Sequence, residues 1–177
     1  MKRFQKTMVK ILDDLPKKNI IYLIKAYYLN PSFKLLFLFR IGKYFSESKF
    51  KISRVISSFI RIKIIKKFSC DISFKSQIGS KCKFAHPIGI VIGANVIIKE
   101  HVTIYQNVTI GSHGKINVKK NYPVINNNVV IYSNSVLIGG ITVSENAVIG
   151  ASSFVNKDIP ENCTAFGNPI EIKYKKK

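Results

Sequence analysis

Acidic residues are scarce in this chain of 177 residues: 9 Asp and Glu stand against 29 Lys and Arg, a formal charge of +20. That imbalance predicts attraction to anions, whether an acidic membrane face, nucleic acid, or an anionic cofactor or polymer. No base-stacking platform or groove-reading motif accompanies the charge, which sets nucleic acid aside as a partner. Cysteine is sparse as well. Cys70, Cys82 and Cys163 form an odd set without a C-x-x-C pair, so neither a disulfide framework nor a metal site is expected, and a reducing cytoplasm fits. Long apolar runs are missing: stretches such as "LLFLF" at 35–39 fall far short of the roughly 20 residues that cross a bilayer. The opening "MKRFQKTMVKILDDL" is interrupted at Asp13 and Asp14 and has no small-residue cleavage site, so no signal peptide is expected there.

What is present divides in two. Residues 1–68 carry 17 Lys and Arg against 3 acids, and residues 69–177 carry 12 against 6. The first region is basic and reads as helical. "KKNIIYLIKAYYL" and "PSFKLLFLFRIGKYF" are densely apolar, and Pro31 stands where a helix can begin. In "KFKISRVISSFIRIKIIKKF" the spacing places Ile52, Val55, Ile56, Phe59, Ile60 and Phe68 broadly on one side, with Arg54, Arg61, Lys66 and Lys67 interleaved. Such an element either packs on its neighbours or lies on an anionic membrane, and peripheral membrane association is the functional expectation.

The second region is a repeat. Ile72, Ile78 and Phe84 are six apart, and after two inserted residues the series resumes at Ile92, Ile98, Ile104 and Ile110. "GSHGKINVKKNYP", a loop spanning 111–123, interrupts it. Ile125, Ile131, Leu137, Val143, Ile149 and Val155 then continue at the same interval, up to a C-terminal tail. A period of six with an inner period of two fits short strands whose alternate side chains point inward, and excludes a helix. Repeats of this length stack into a solenoid, three hexads to a turn, in which each turn buries its apolar face on the next. Periodicity alone does not give the hand.

One histidine stands out in "FAHPIGIVIG", residues 84–93, because the chain has only three. Titration near neutral pH makes His86 a candidate for acid–base work.

The hexad grammar, together with "DISFKSQIGSKCKFAHPIGIVIGANVIIKEHVTIYQNVTIGSHGK" and the closing "AFGNPIEI", resembles the hexapeptide-repeat acyltransferases. The core is similar to bacterial serine acetyltransferases and to relatives that O-acetylate capsule, O-antigen or exopolysaccharide sugars. The resemblance implies a mainly β fold, a left-handed parallel β-helix with a small N-terminal helical region. It implies acetyl-CoA as co-substrate, a homotrimer, and a catalytic pair falling on Asp71 and His86, fifteen residues apart. That is close to one solenoid turn, so the two can meet across adjacent layers about 5 Å apart, the carboxylate fixing the tautomer and leaving the other imidazole nitrogen as a base. It also assigns cofactor contacts to Gly111, Ser112, Ser133, Ala151 and Pro169, and acceptor contacts to Ala85, His113, Asn121 and Tyr122. His101 is expected to be an exposed side chain.

Three of those acceptor positions depart from the serine acetyltransferase pattern. Where the family has an acid before the catalytic histidine and an Arg-His pair before the loop proline, this chain has Ala85, Asn121 and Tyr122, with Pro123 retained. Each lost charged contact to the serine zwitterion is worth roughly 1.5 to 3 kcal/mol. The expectation is therefore a sugar O-acetyltransferase of surface-polysaccharide biosynthesis, cytoplasmic and peripheral at the membrane. Serine O-acetylation is the alternative, and a non-catalytic solenoid that binds a membrane or partner is the second.

Overall fold

Residues 2–114 and 121–174 are described by the computed structural model. The helical expectation for the first region holds and extends to its start: α1 (Lys2–Asp13), α2 (Ile20–Leu29), α3 (Pro31–Ser46) and α4 (Lys51–Phe68). Side-chain caps define two of the starts. Asn19 accepts from the Tyr22 N–H at 2.7 Å and Asn30 from the Phe33 N–H at 3.1 Å. Pro31 occupies the first turn of α3, where its missing N–H costs nothing. α4 ends in a left-handed Ser69, and the first strand begins at Asp71.

From there the hexads form fifteen short strands among the described residues, numbered in chain order. The first face holds β1 (Asp71–Ile72), β4 (Val91–Ile92), β7 (Thr109–Gly111), β10 (Val136–Ile138) and β13 (Phe154–Val155). The second holds β2 (Gln77–Ile78), β5 (Ile97–Ile98), β8 (Val124–Ile125) and β11 (Thr142–Val143). The third holds β3 (Lys83–Phe84), β6 (Thr103–Ile104), β9 (Val130–Ile131), β12 (Val148–Ile149), β14 (Cys163–Phe166) and β15 (Glu171–Tyr174). Pairing is parallel throughout except for the terminal β14–β15 hairpin. This is a left-handed parallel β-helix, three strands to the turn.

Register explains why the period is six. Ile72, Ile92, Ile110, Leu137 and Val155 stack on one inner face, and Phe84, Ile104, Ile131, Ile149 and Ala165 on another. All ten are buried. Each full burial contributes about 1.5 to 3 kcal/mol, so the stack supplies most of the cohesion of the solenoid.

A solenoid leaves an open edge at its first turn, and α3 covers it. Arg40, buried, bonds Asp14 through its guanidinium and donates to the carbonyls of Ile78 and Gly79. Lys43 donates to the Phe74 and Ser76 carbonyls, and the Phe84 N–H donates to Ser32 Oγ. Gly42 allows the closest approach: a Cβ there would stand 2.1 Å from the Phe74 ring. The core of the coils is accordingly continuous with Leu35, Leu36, Phe39, Ile64 and Phe68, while α1, α2 and the start of α3 share a smaller cluster of their own.

One helical expectation is corrected. Of the residues placed on one side of α4, Phe68 is buried and Ile60 packs on the core, but Ile52, Val55, Ile56 and Phe59 face outward. The inward face is built instead on Ser57, Ile64 and Phe68, and the Ser57 hydroxyl donates to the Gly42 carbonyl.

Candidate active site

The strands place the predicted residues at two corners of the prism. At the corner from third to first face, a column of residues turns the chain: Asn107, Asn134 and Ser152, all with positive φ, above Gly89. The Asn107 amide donates to Asn134 at 3.1 Å, and a Cβ on Gly89 would meet Asn107 Oδ1 at 2.2 Å. Glycine is required there both by φ +67° and by that neighbour. The two inserted residues fall just before this point and carry His86, exposed and in the left-handed region at φ 53°. Its carbonyl accepts from the Ile88 N–H, which tightens the bend.

Asp71 opens β1 on the adjoining face. Its N–H donates to the Ile90 carbonyl, four residues past His86, and its side chain points outward while Ile72 points in. The two predicted catalytic residues therefore flank one corner. Their side chains are not bonded to each other. Asp71 is instead gripped by Arg61 of α4, whose Nη2 lies 2.8 and 2.9 Å from the two carboxylate oxygens, with Nε at 3.1 Å from Oδ1.

Above His86 runs an aromatic column. Ala85, Tyr105, Tyr132 and Gly150 occupy equivalent positions in successive turns, each N–H donating to the strand above. The rings of Tyr105 and Tyr132 stack at 4.9 Å, and His86 lies 6.4 Å from Tyr105. Ser133 and Ala151 follow Tyr132 and Gly150 on the same corner, so these two cofactor candidates share an edge with His86. Pro169, exposed, follows β14 near the end of the same face. Beside them the Gln106 Oε1 atom is buried with no donor among the described residues.

The remaining candidates sit at the next corner, from first to second face. Gly111 ends β7, and Ser112 Oγ donates to Asn121 Oδ1 at 2.7 Å while accepting from the Gly114 N–H. The His113 ring lies over Gly139, where a Cβ would come within 2.8 Å of it. Tyr122 packs against the core beside Gly93. Residues 115–120 of the predicted loop lie outside the described residues. One subunit thus carries the predicted site in two parts, with His86, Asp71, Ala85, Ser133 and Ala151 at one corner and Gly111, Ser112, His113, Asn121 and Tyr122 at another.

His101 belongs to neither part. It is exposed with φ 58°, in a column of turn residues with Lys81, Asn128, Asn146 and Asn162 at the third corner. Among the described residues no group of three or more His, Cys, Asp or Glu gathers to hold a metal. Sequence reasoning missed Arg61, Tyr105 and Tyr132. Register held the signal for the tyrosines, since each follows an inward isoleucine by one residue. Nothing in the sequence pairs Arg61 with Asp71, because that contact depends on where α4 lies.

No family model matches the chain. It is 36% identical to the serine acetyltransferase of Buchnera aphidicola (subspecies Schizaphis graminum) over 151 residues, 85% of this chain and 56% of that enzyme. The chain therefore spans a little over half the length of that relative. Soybean serine acetyltransferase, solved as apoenzyme and in complex with serine, superposes with a TM-score of 0.78 at 26% identity, covering 98% of this chain and 70% of that one. A serine acetyltransferase solved with CoA gives 0.73 at 24% identity, covering 97% and 72%, which shows the fold alone. The chain has the hexapeptide-repeat acyltransferase fold, and serine acetyltransferases are its homologues.

Proposed function

We propose that this chain is an acetyl-CoA-dependent O-acetyltransferase, with residues 69–177 as the transferase domain and His86 as general base. The observation that carries the reading is the corner where His86 projects from a two-residue insertion while Asp71 projects from the turn it packs against. His86 takes the proton of an acceptor hydroxyl as that oxygen attacks the thioester carbonyl. Backbone N–H groups at the corner stabilise the oxyanion. Collapse of the tetrahedral intermediate expels the CoA thiolate, which recovers the proton from His86. Asp71 supplies the negative charge that favours the imidazolium, in competition with Arg61.

The two-part distribution of candidates supports a homotrimer, in which the second corner of one subunit faces the His86 corner of its neighbour. Gly111, Ser112 and His113 would then meet Ser133 and Ala151 across the interface and line the acetyl-CoA groove.

On the acceptor, the relatives support L-serine over the sugar hydroxyl expected from the sequence. The sugar reading stays as the second on one observation: Ala85, Asn121 and Tyr122 offer no charge to a zwitterion, and the exposed Tyr132, stacked on Tyr105, offers an aromatic face of the kind pyranose rings pack on. Peripheral membrane association draws no support from the relatives. What favours it is the outward apolar face of α4, with Phe50, Ile52, Val55 and Phe59 among lysines and arginines. No described helix is long and apolar enough to cross a membrane. The cytoplasm is the compartment this reading assigns.

The test is release of CoA thiol from acetyl-CoA by the purified protein, with L-serine and with a panel of neutral oligosaccharides. Saturable acetylation of serine supports the first acceptor, and acetylation of a sugar alone the second. No acceptor-dependent release with either, from a folded trimer, contradicts the transferase reading.

A further inference from the structure

A cavity of about 860 Å³ lies between α1, α3, α4 and the first coils of the solenoid, and adjoins the His86 corner only through Arg61. Its walls carry seven Lys and Arg side chains and a single acid, Glu47. Three of those cations are answered: Arg40 by Asp14, Arg61 by Asp71, and Lys43 by Glu47 at 3.3 Å. Arg3, Lys6, Lys10 and Lys75 have no carboxylate partner among the described residues. Arg3 donates to the Glu47 carbonyl at 2.7 Å and lies over the Tyr44 ring, which holds the guanidinium at the rim. Arg3, Lys6 and Lys10 recur at spacings of three and four and so share one face of α1, while Lys75 comes from the solenoid wall.

Like charges at these spacings weaken a helix, and no ion pair among the described residues offsets them, Asp14 and Glu100 acting on Lys10 only from a distance. Burial of part of the Lys10 stem, together with the nearby Arg40 and Lys43 cations, lowers the pKa of its ammonium below the ordinary lysine value. A ligand carrying two or more negative charges relieves both penalties. The volume is that of a small-molecule site rather than of a single ion.

We propose that this cleft binds a diphosphate-bearing ligand, held by Lys6 and Lys10 of α1 and by Lys75 opposite, with Arg3 at the rim. The proposal does not rest on the acetyltransferase reading, because none of these residues belongs to the His86 corner. A nucleoside diphosphate and a diphosphate lipid headgroup share the chemistry recognised here.

Calorimetric titration of the full chain with inorganic pyrophosphate tests it, with the lysine variants separating this cleft from a cofactor groove. The expected result is saturable binding of one pyrophosphate per chain, weakened about tenfold or more by Lys6→Gln, Lys10→Gln or Lys75→Gln, the scale of one lost charge-assisted hydrogen bond. Circular dichroism of each variant should match the unaltered protein, since glutamine keeps most of the stem and removes only the charge. Tighter binding of uridine diphosphate than of pyrophosphate supports the site with a soluble nucleotide as its source. Capture by neutral phosphatidylcholine vesicles doped with a prenyl diphosphate, lost in Lys6→Gln and Lys10→Gln, supports it with a lipid headgroup as source. Absence of saturable binding, or binding that all three variants leave unchanged, overturns it.

Discussion

Arg61 of α4 holds the carboxylate of Asp71 through two nitrogens, with contacts of 2.8, 2.9 and 3.1 Å. The pair ties the basic helical region to the residue that the solenoid presents beside His86. Both side chains are about half exposed, at 51% and 47%. Solvent screens such a pair, so its value to stability is at most about 1 kcal/mol.

Asp71→Asn should therefore separate rate from stability. Urea unfolding should change by less than about 1 kcal/mol, while kcat/KM for acetyl transfer falls at least roughly tenfold through loss of the charge that favours the imidazolium. A normal rate with a marked loss of stability would make Asp71 a junction residue between α4 and the first coil.

Asp14 and Arg40 should behave in the opposite way. Their side chains are only 2% and 3% exposed, and Arg40 also satisfies two carbonyls of the first coil. Asp14→Asn leaves a buried guanidinium without its counter-charge, at a cost of about 3 to 5 kcal/mol. Denaturant titration measures this directly, and a loss below about 1 kcal/mol would show that the clamp on the open edge is dispensable.

How much of this was legible in the sequence depends on the element. The hexads name the inward residue of each strand from β1 to β13 because a two-residue strand admits only one inward position; the inward Ala165 of β14, beyond the last hexad, was not named. The two-residue break that carries His86 was visible for the same reason. α4 was not legible in its orientation. Its isoleucines occur on several sides, so the spacing pointed to the face of Ile52 and Phe59, whereas the face of Ile64 is the one that packs inward. The grip of Arg61 on Asp71 follows from that orientation and was hidden with it. α1 lay within the region read as helical but was not singled out, because its basic residues mask the short apolar stripe of Met8, Ile11 and Leu12.

Burial pushes the Cys82 thiol up to about 11, and its Sγ donates to the Lys99 carbonyl at 3.1 Å. A thiol whose pKa is raised on folding favours the folded state below its unfolded value. That contribution is lost as pH climbs from about 9 toward about 11. The melting temperature should fall over this window, and fall less steeply in Cys82→Ala. Native protein should also resist alkylation at Cys70, Cys82 and Cys163, all buried, until denaturant is added. Equal slopes, or rapid labelling of Cys82 in the folded state, would contradict the burial.

The outward apolar face of α4 should bind vesicles containing anionic lipid but not neutral ones, and binding should weaken as salt rises. Each basic residue near such a surface contributes about 1 kcal/mol, screened within a Debye length. Phe59→Ser and Val55→Ser together should reduce the salt-resistant part. Equal binding to both vesicle types, or none at low salt, would assign this face to protein packing.

The central claim, that His86 is the general base of an O-acetyl transfer, is tested most directly by the turnover of His86→Ala. The side chain is exposed and its ring lies 6.4 Å from that of Tyr105, so the variant should fold and assemble as the unaltered protein does. Its kcat with acetyl-CoA and the preferred acceptor should drop by roughly 10²- to 10⁴-fold. A folded His86→Ala protein that transfers acetyl at a near-normal rate would contradict the account.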